Sequence, residues 1–240
     1  MSSVPHAIQE RLDPALARET LPGVVEILYP RALVNAFLVE ADELTLIDTG
    51  TPGAGERTLA ALRAHGHAPQ EVARIIVTHR HADHAGNAAV LAAATGAQVH
   101  VAPLDAPYVR DGLQQPRPEV ATPLGHVLVP YVKTALPWRV QPVAVVESLQ
   151  EGTSVGPFRI IATPGHTAGH VSLLWEERGI LFTADAAAHI TAVGPHPAAD
   201  DPVLARQSFR RLSELEFDAA CFGHGRTLTS AANQHFRKAA

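Results

Sequence analysis

The sequence predicts an α/β fold, and three observations carry that expectation. Residues 74–102 run strand, loop, helix, strand: the β-branched Arg74–Thr78, the polar His79–Asn87, the alanine-rich Ala88–Thr95 closed by Gly96, then Gln98–Ala102. Arg74-Ile-Ile-Val-Thr78 has an echo in Arg159-Ile-Ile-Ala-Thr163, and a histidine stands three residues after each threonine, His81 and His166. Chance similarity between two buried strands explains the echo as well as two facing halves around one site do. The composition, 46% hydrophobic and 18% charged over 240 residues, is ample for a buried core and speaks against extended disorder.

Taken in order, Gly23–Tyr29 and Leu33–Glu40 read as strands, and Leu44–Asp48 as a third across the short acidic turn Ala41-Asp42-Glu43. Gly50–Gly53 ends that strand, and Arg57, Leu59 and Leu62 begin a helical pattern that runs to about His65. Between Pro103 and Pro142 eight prolines interrupt the chain, so this stretch reads as an insertion on the scaffold. Regular structure resumes with strand candidates Val143–Val146, Phe158–Thr163, Val171–Trp175 and Ile180–Thr183. Pro202–Leu215 is a helix candidate, with Asp201 as its cap, Pro202 in its first position and Val203, Phe209, Leu212 and Leu215 as its apolar face. Asp218–Phe222 is a last short strand and Ser230–Lys238 a closing helix.

Charge and cysteine usage exclude several classes. The net charge is -5 and no long basic run occurs, which disfavours nucleic acid as the main partner. Cys221 is the sole cysteine, so no intramolecular disulfide forms and a cytoplasmic setting is the default expectation. The first residues lack the pattern of a signal peptide, and no apolar stretch approaches the roughly 20 residues that span a bilayer.

The chemistry is carried by histidines, of which there are 14. Thr78-His79-Arg80-His81-Ala82-Asp83-His84 sets three histidines and an aspartate within six residues, directly after a buried strand. Imidazole nitrogens and carboxylate oxygens bind Zn²⁺ or Fe²⁺ at roughly 2 Å, and a loop on a rigid strand can turn all four toward one point. Three further elements follow: Thr163-Pro164-Gly165-His166, Phe182-Thr183-Ala184-Asp185 and Phe222-Gly223-His224-Gly225, each just after or at the end of a predicted strand. Singly, such a residue is more often a cap. Together and in this order they are specific.

His79, His81, Asp83 and His84 as H-x-H-x-D-H, followed by His166, Asp185 and His224, resemble the metallo-β-lactamase-fold superfamily, as does the early Asp48-Thr49-Gly50. The resemblance spans about residues 33–225. It implies a four-layer αββα sandwich of two mixed β-sheets flanked by helices; residues 1–240 read as one such domain, with the proline-rich, lid-like segment at about 103–142 inserted in it. It implies two divalent metal ions, zinc foremost, with Fe²⁺ and Mn²⁺ suited to the same donors. His79, His81 and His166 would hold the first, and Asp83, His84 and His224 the second. Asp185 would bridge them together with a water or hydroxide, and Asp83 would also act catalytically by orienting that hydroxide or passing a proton to the leaving group. Asp48 is a candidate for orienting the ligand histidines, with a turn cap as the alternative. His170 offers itself as an extra ligand, but with the set already full it reads first as structural; His189 and His196, just beyond Asp185, could touch substrate but read first as exposed loop histidines.

The implied activity is hydrolysis of an ester, thioester or lactone in a small molecule. An iron-dependent persulfide dioxygenase-like oxidoreductase and a phosphodiesterase on the same scaffold are the alternatives. Asp185 argues against a true β-lactamase. Glyoxalase II and persulfide dioxygenases usually continue after the bridging aspartate with a Gly-Cys-Gly-Arg-type element, where this chain has Ala186-Ala187-Ala188-His189. The best-known acyl-homoserine lactonases place a tyrosine near Ala188. In the insertion, Tyr108, Tyr131 and Trp138 with Leu124, Val127, Leu128 and Val129 would wall an apolar pocket or pack on the core or a second subunit, which leaves a homodimer open.

Overall fold

A computed structural model describes residues 17–30, 33–116, 119–120 and 139–240 of the chain. Tyr131, Trp138, Leu124, Val127, Leu128 and Val129 lie outside the described residues. The first half holds strands β1 (Ala17–Leu21), β2 (Val24–Tyr29), β3 (Val34–Glu40) and β4 (Leu44–Ile47), helix α1 (Gly55–Ala64), strand β5 (Val72–Ile76), helices α2 (Ala82–Ala85) and α3 (Ala88–Thr95), and strand β6 (Gln98–His100). Helix α4 (Ala106–Arg110) and the short strand β7 (Glu119–Val120) follow. The second half holds β8 (Ser154–Val155), β9 (Phe158–Ala162), β10 (Val171–Trp175), β11 (Ile180–His189), β12 (Val193–Gly194), β13 (Ala198–Ala199), helix α5 (Pro202–Ser213), β14 (Ala219–Gly225) and helix α6 (Ala232–Ala239).

Strand alternation sorts the side chains into layers. In β3, Ala36 and Leu38 face a core that includes Leu59 and Leu62 of α1 and Leu91 of α3. Phe37 and Val39 face the other way, onto Phe158, Ile160, Leu173 and Phe182 of the second half. In that half, Ile161, Leu174, Leu181 and Phe222 turn outward onto Phe209, Leu212 and Phe236 of α5 and α6. Helix, sheet, sheet and helix thus stack with three apolar seams between them, which is the expected αββα sandwich.

Pairing runs in the order β6-β5-β4-β3-β14-β11-β10-β9-β8. β4, β5 and β6 are parallel, as are β11 and β14, while the hairpins are antiparallel, so both sheets are mixed. β3 pairs with β2 along its length, but only Val34, its first residue, pairs with β14, through His224. The two sheets therefore join at one corner and splay apart from it.

Several elements differ from expectation. Val143–Val146 forms only an isolated bridge from Val146 to His100. The polar stretch after β5 contains a single helical turn, α2. β11 runs six residues past Thr183, to His189. The described start of the insertion is packed on the scaffold, with Ala106 and Val109 buried in the first apolar seam. Asp201 caps α5 as expected, its carboxylate accepting from the Val203 and Leu204 amides at 2.9 Å. Among the described residues no helix is long and apolar enough to cross a membrane.

Candidate metal centre

The corner where the sheets join carries all seven candidate donors. His79 and His81 lie on the loop after β5, and Asp83 and His84 in α2, whose turn is closed by the His84 and Ala85 amides on the His81 carbonyl. His166 follows β9, Asp185 lies in β11 and His224 in β14. The two echo strands, β5 and β9, lie in different sheets, and the loops after them meet: His81 Nδ1 is 2.9 Å from His166 Nε2. Asp83, His84 and His224 form a second group, with His224 Nε2 3.5 Å from Asp83 Oδ2. Asp185 reaches both, 3.2 Å from His166 Nε2 through Oδ2, 3.4 Å from His224 Nε2 through the same oxygen and 3.4 Å from His84 Nε2 through Oδ1.

Asp185 is not at a strand end. Register with β14 breaks on both sides of Ala184, whose φ is 45°, so a bulge turns the Asp185 carboxylate out of the ladder. Its amide donates to His170 Nε2 at 3.0 Å, and His170 Nδ1 meets the Thr163 hydroxyl at 2.8 Å. Both ring nitrogens of His170 are thus spent, which agrees with its expected structural role. Gly223 is required opposite: a Cβ there would stand 2.3 Å from Asp185 Oδ1 and 2.9 Å from His84 Cε1.

Hydrogen bonds on the far side of each ring assign the tautomers. His84 Nδ1 donates to Asp48 Oδ2 at 2.8 Å, His166 Nδ1 to the Ala198 carbonyl at 2.8 Å, and His224 Nδ1 to the Leu33 carbonyl at 3.1 Å. His79 Nδ1 faces the Thr78 hydroxyl, which itself donates to Asp48. In the neutral ring each Nε2 then directs its lone pair inward, for His84 and His224 once the second proton is displaced. Asp48, buried at a φ of 60°, therefore orients two of the histidines, as expected.

These donors fit a metal. His79 Nε2, His84 Nε2 and Asp185 Oδ1 are buried without a hydrogen-bond partner, a costly state that a cation would relieve. Donors around one tetrahedral ion at about 2.0–2.1 Å stand roughly 3.3–3.4 Å apart. The separations of 3.2–3.4 Å from Asp185 to His166, His84 and His224, and of 3.5 Å from His224 to Asp83, match that spacing.

Electrostatics divides the histidines. Burial, with the neighbouring rings, holds His79 well below the usual imidazole range, and burial lowers His81 and His166 in spite of the carboxylates nearby. Burial also pulls on His224, yet Asp185 and Asp83 outweigh it and lift its pKa to about 10. His84 is raised in the same way, burial losing to Asp185 and Asp48. Against their own burial, His224 and His84 bring Asp83 down to about 2 and lower Asp185 strongly.

The family model for the metallo-beta-lactamase superfamily matches residues 29–224. The chain belongs to that superfamily. The probable metallo-hydrolase YflN of Bacillus subtilis (strain 168) is 31% identical over 225 residues, covering 82% of each chain. A hydroxyacylglutathione hydrolase of Cereibacter sphaeroides (strain ATCC 17025) is 30% identical over 82% of this chain, which spans 64% of that protein. YobT of Bacillus subtilis is 31% identical over 64% of this chain and 61% of its own length. Among solved structures, TTHA1623 in a di-iron-bound form is 28% identical with a TM-score of 0.60, covering 82% of this chain and 89% of that one. The metallo-beta-lactamase family protein TTHA1429 of Thermus thermophilus shares the fold, with a TM-score of 0.64 over 92% of this chain and 79% of its own at 24% identity.

Like other members of the superfamily, the chain offers His/Asp groups suited to divalent metals. One residue at the centre was misread from sequence. His196 is not an exposed loop histidine: its Nε2 lies 3.6 Å from Asp185 Oδ2 and its ring centroid 4.7 Å from that of His166. The loop after β12 folds back through the Ala198 pairing with β7, a long-range contact that no local pattern announces. His189 points elsewhere, its Nδ1 2.8 Å from the Arg226 carbonyl.

Proposed function

We propose that this protein is a dinuclear-metal hydrolase that cleaves an ester, thioester or lactone bond of a small molecule. The observation that carries the reading is the gathering of six inward-facing donors into two groups that Asp185 joins. His79, His81 and His166 would hold one ion and Asp83, His84 and His224 the other, with Asp185 within reach of both groups. Divalent ions held there would supply Lewis acidity toward a carbonyl oxygen and would lower the pKa of a water from about 15.7 toward roughly 7.

The chain's own residues do the rest. Asp185, ionised and fixed by the hydrogen bond from its backbone amide to His170, would offset the charge of cations held on either side of it. Asp83, ionised at neutral pH, orients the attacking water and relays its proton to the departing oxygen or sulfur. Water is thereby added across the acyl bond, yielding a carboxylic acid and an alcohol or thiol. The segment at about 103–142, inserted in a single domain, selects the apolar part of the substrate.

The likeness to hydroxyacylglutathione hydrolases supports the thioester class. Ala186, Ala187 and Ala188, small and buried where that branch carries Gly-Cys-Gly-Arg, favour a substrate without glutathione. Zinc is the first choice of metal, and the di-iron relative makes iron the comparison. The test is a screen of ester, thioester, lactone, phosphodiester and β-lactam substrates on protein of measured metal content, beside Asp185→Asn. The variant is expected to fold, lose most of its second ion and lose turnover by at least about 100-fold, as for removal of a central electrostatic group. Full occupancy and activity in the variant would contradict the reading, as would wild-type protein that binds fewer than two ions.

A further inference from the structure

Asp105 stands outside the donor set, yet it is wholly buried and every bond its carboxylate makes leads to that set. It accepts from the Arg80 amide at 2.9 Å and the Arg80 guanidinium at 3.0 Å, on the loop that carries His79 and His81. It also accepts from the Thr167 hydroxyl at 2.6 Å and the Gly169 amide at 3.0 Å, on the loop that carries His166. Arg80, also buried, extends the link: its guanidinium pairs with Asp200, whose amide donates to the His166 carbonyl at 3.1 Å. Tyr108 of α4 stacks on that guanidinium at 4.7 Å, and the Gln115 side chain donates to the Arg80 carbonyl.

Burying an arginine–carboxylate pair seldom improves stability over apolar packing, because both ions lose their water. What such a pair supplies is fixed geometry, since the rigid planar guanidinium, one arm on Asp105 and the other on Asp200, accepts few arrangements of its partners. The loops it joins come from different sheets, and among the described residues no backbone hydrogen bond runs directly between His79 or His81 and His166. We propose that Asp105, with Arg80 as its strut, is a positioning residue that sets the His79–His81 pair against His166 and so makes the three-histidine site. This rests on the metal-binding reading above. It also gives the start of the insertion a role, because Asp105, Tyr108 and Gln115 all converge on the residue between two ligand histidines.

Asp105→Asn keeps the shape and removes half the acceptor capacity. Zinc affinities are measured by chelator competition on wild type, Asp105→Asn, Thr167→Val and Thr167→Ser, together with the hyperfine-shifted imidazole N–H resonances of the Co²⁺-loaded proteins. Asp105→Asn is expected to bind one ion about 10–100-fold more weakly. Its His79 and His166 resonances should move while those of His84 and His224 hold. Thr167→Val should lose less, and Thr167→Ser should restore wild-type behaviour. A folded Asp105→Asn with wild-type affinities and spectrum overturns the inference. If that variant fails to fold, Thr167→Val decides, and wild-type affinity there overturns it. A wild type that does not bind two ions sinks the functional reading itself, whereas two tightly held ions indifferent to Asp105 sink only this one.

Discussion

A histidine near Asp185 either is neutral and offers a lone pair or is charged and competes with the metal. His84 and His224, with pKa values raised by the carboxylates beside them, keep their protons through neutral pH when no ion is bound. An ion must displace those protons, so its apparent affinity rises with pH across the neutral range. Calorimetry of zinc binding at pH 7 in two buffers of different ionisation enthalpy should report one to two protons released. Release near zero would mean that the carboxylates do not hold these rings charged. The sign for stability is the reverse: in the metal-free protein both raised groups stabilise the fold below the unfolded value of about 6.5. For His224 that contribution is lost as pH rises through about 10.

At the scale of elements, the decisive piece is the bulge in β11. A regular strand would alternate Asp185 into a seam or leave it on the ladder. With Ala184 at a φ of 45° the carboxylate is aimed at the histidines instead. A left-handed alanine costs on the order of 1–3 kcal/mol relative to an unstrained backbone. Glycine removes that strain but loses about 0.4–1 kcal/mol through its freer unfolded chain. Ala184→Gly is therefore expected to match or exceed wild-type stability, and Ala184→Val to fall below it by more than about 1 kcal/mol, since β-branched residues resist this region. Urea unfolding checks both, and a loss above about 2 kcal/mol for the glycine variant would refute the strain.

For the molecule as a whole, the site exists only while two sheets hold their angle at one corner. Phe182 is central to the seam between them, its ring centroid 5.5 Å from that of Phe37 and 5.9 Å from that of Phe158, all edge-on. Phe182→Ala should cost about 3–5 kcal/mol, the transfer of a buried ring plus the cavity left behind. A loss below about 1.5 kcal/mol in urea unfolding would show that the sheets do not depend on this seam. Metal binding should recover part of the loss, because ions bound by both halves stabilise only the assembled state.

By itself the sequence determined most of the elements and picked out the candidate donors. β-Branched runs marked β5 and β9, Asp201 and Pro202 marked the start of α5, and the seven donors stood out because metal ligands need rare side chains at turns after strands. Asp48 was legible as an orienting residue for the same reason, though a turn cap read equally well. Only the tertiary structure decided that β11 continues through Asp185 on a bulge, that His196 returns to the site, and that Asp105 ties the loops of two sheets together. Those outcomes depend on pairings between residues far apart in the chain, such as Ala198 with Val120 and Arg80 with Asp200, and local periodicity holds no information about which distant partner a residue will meet.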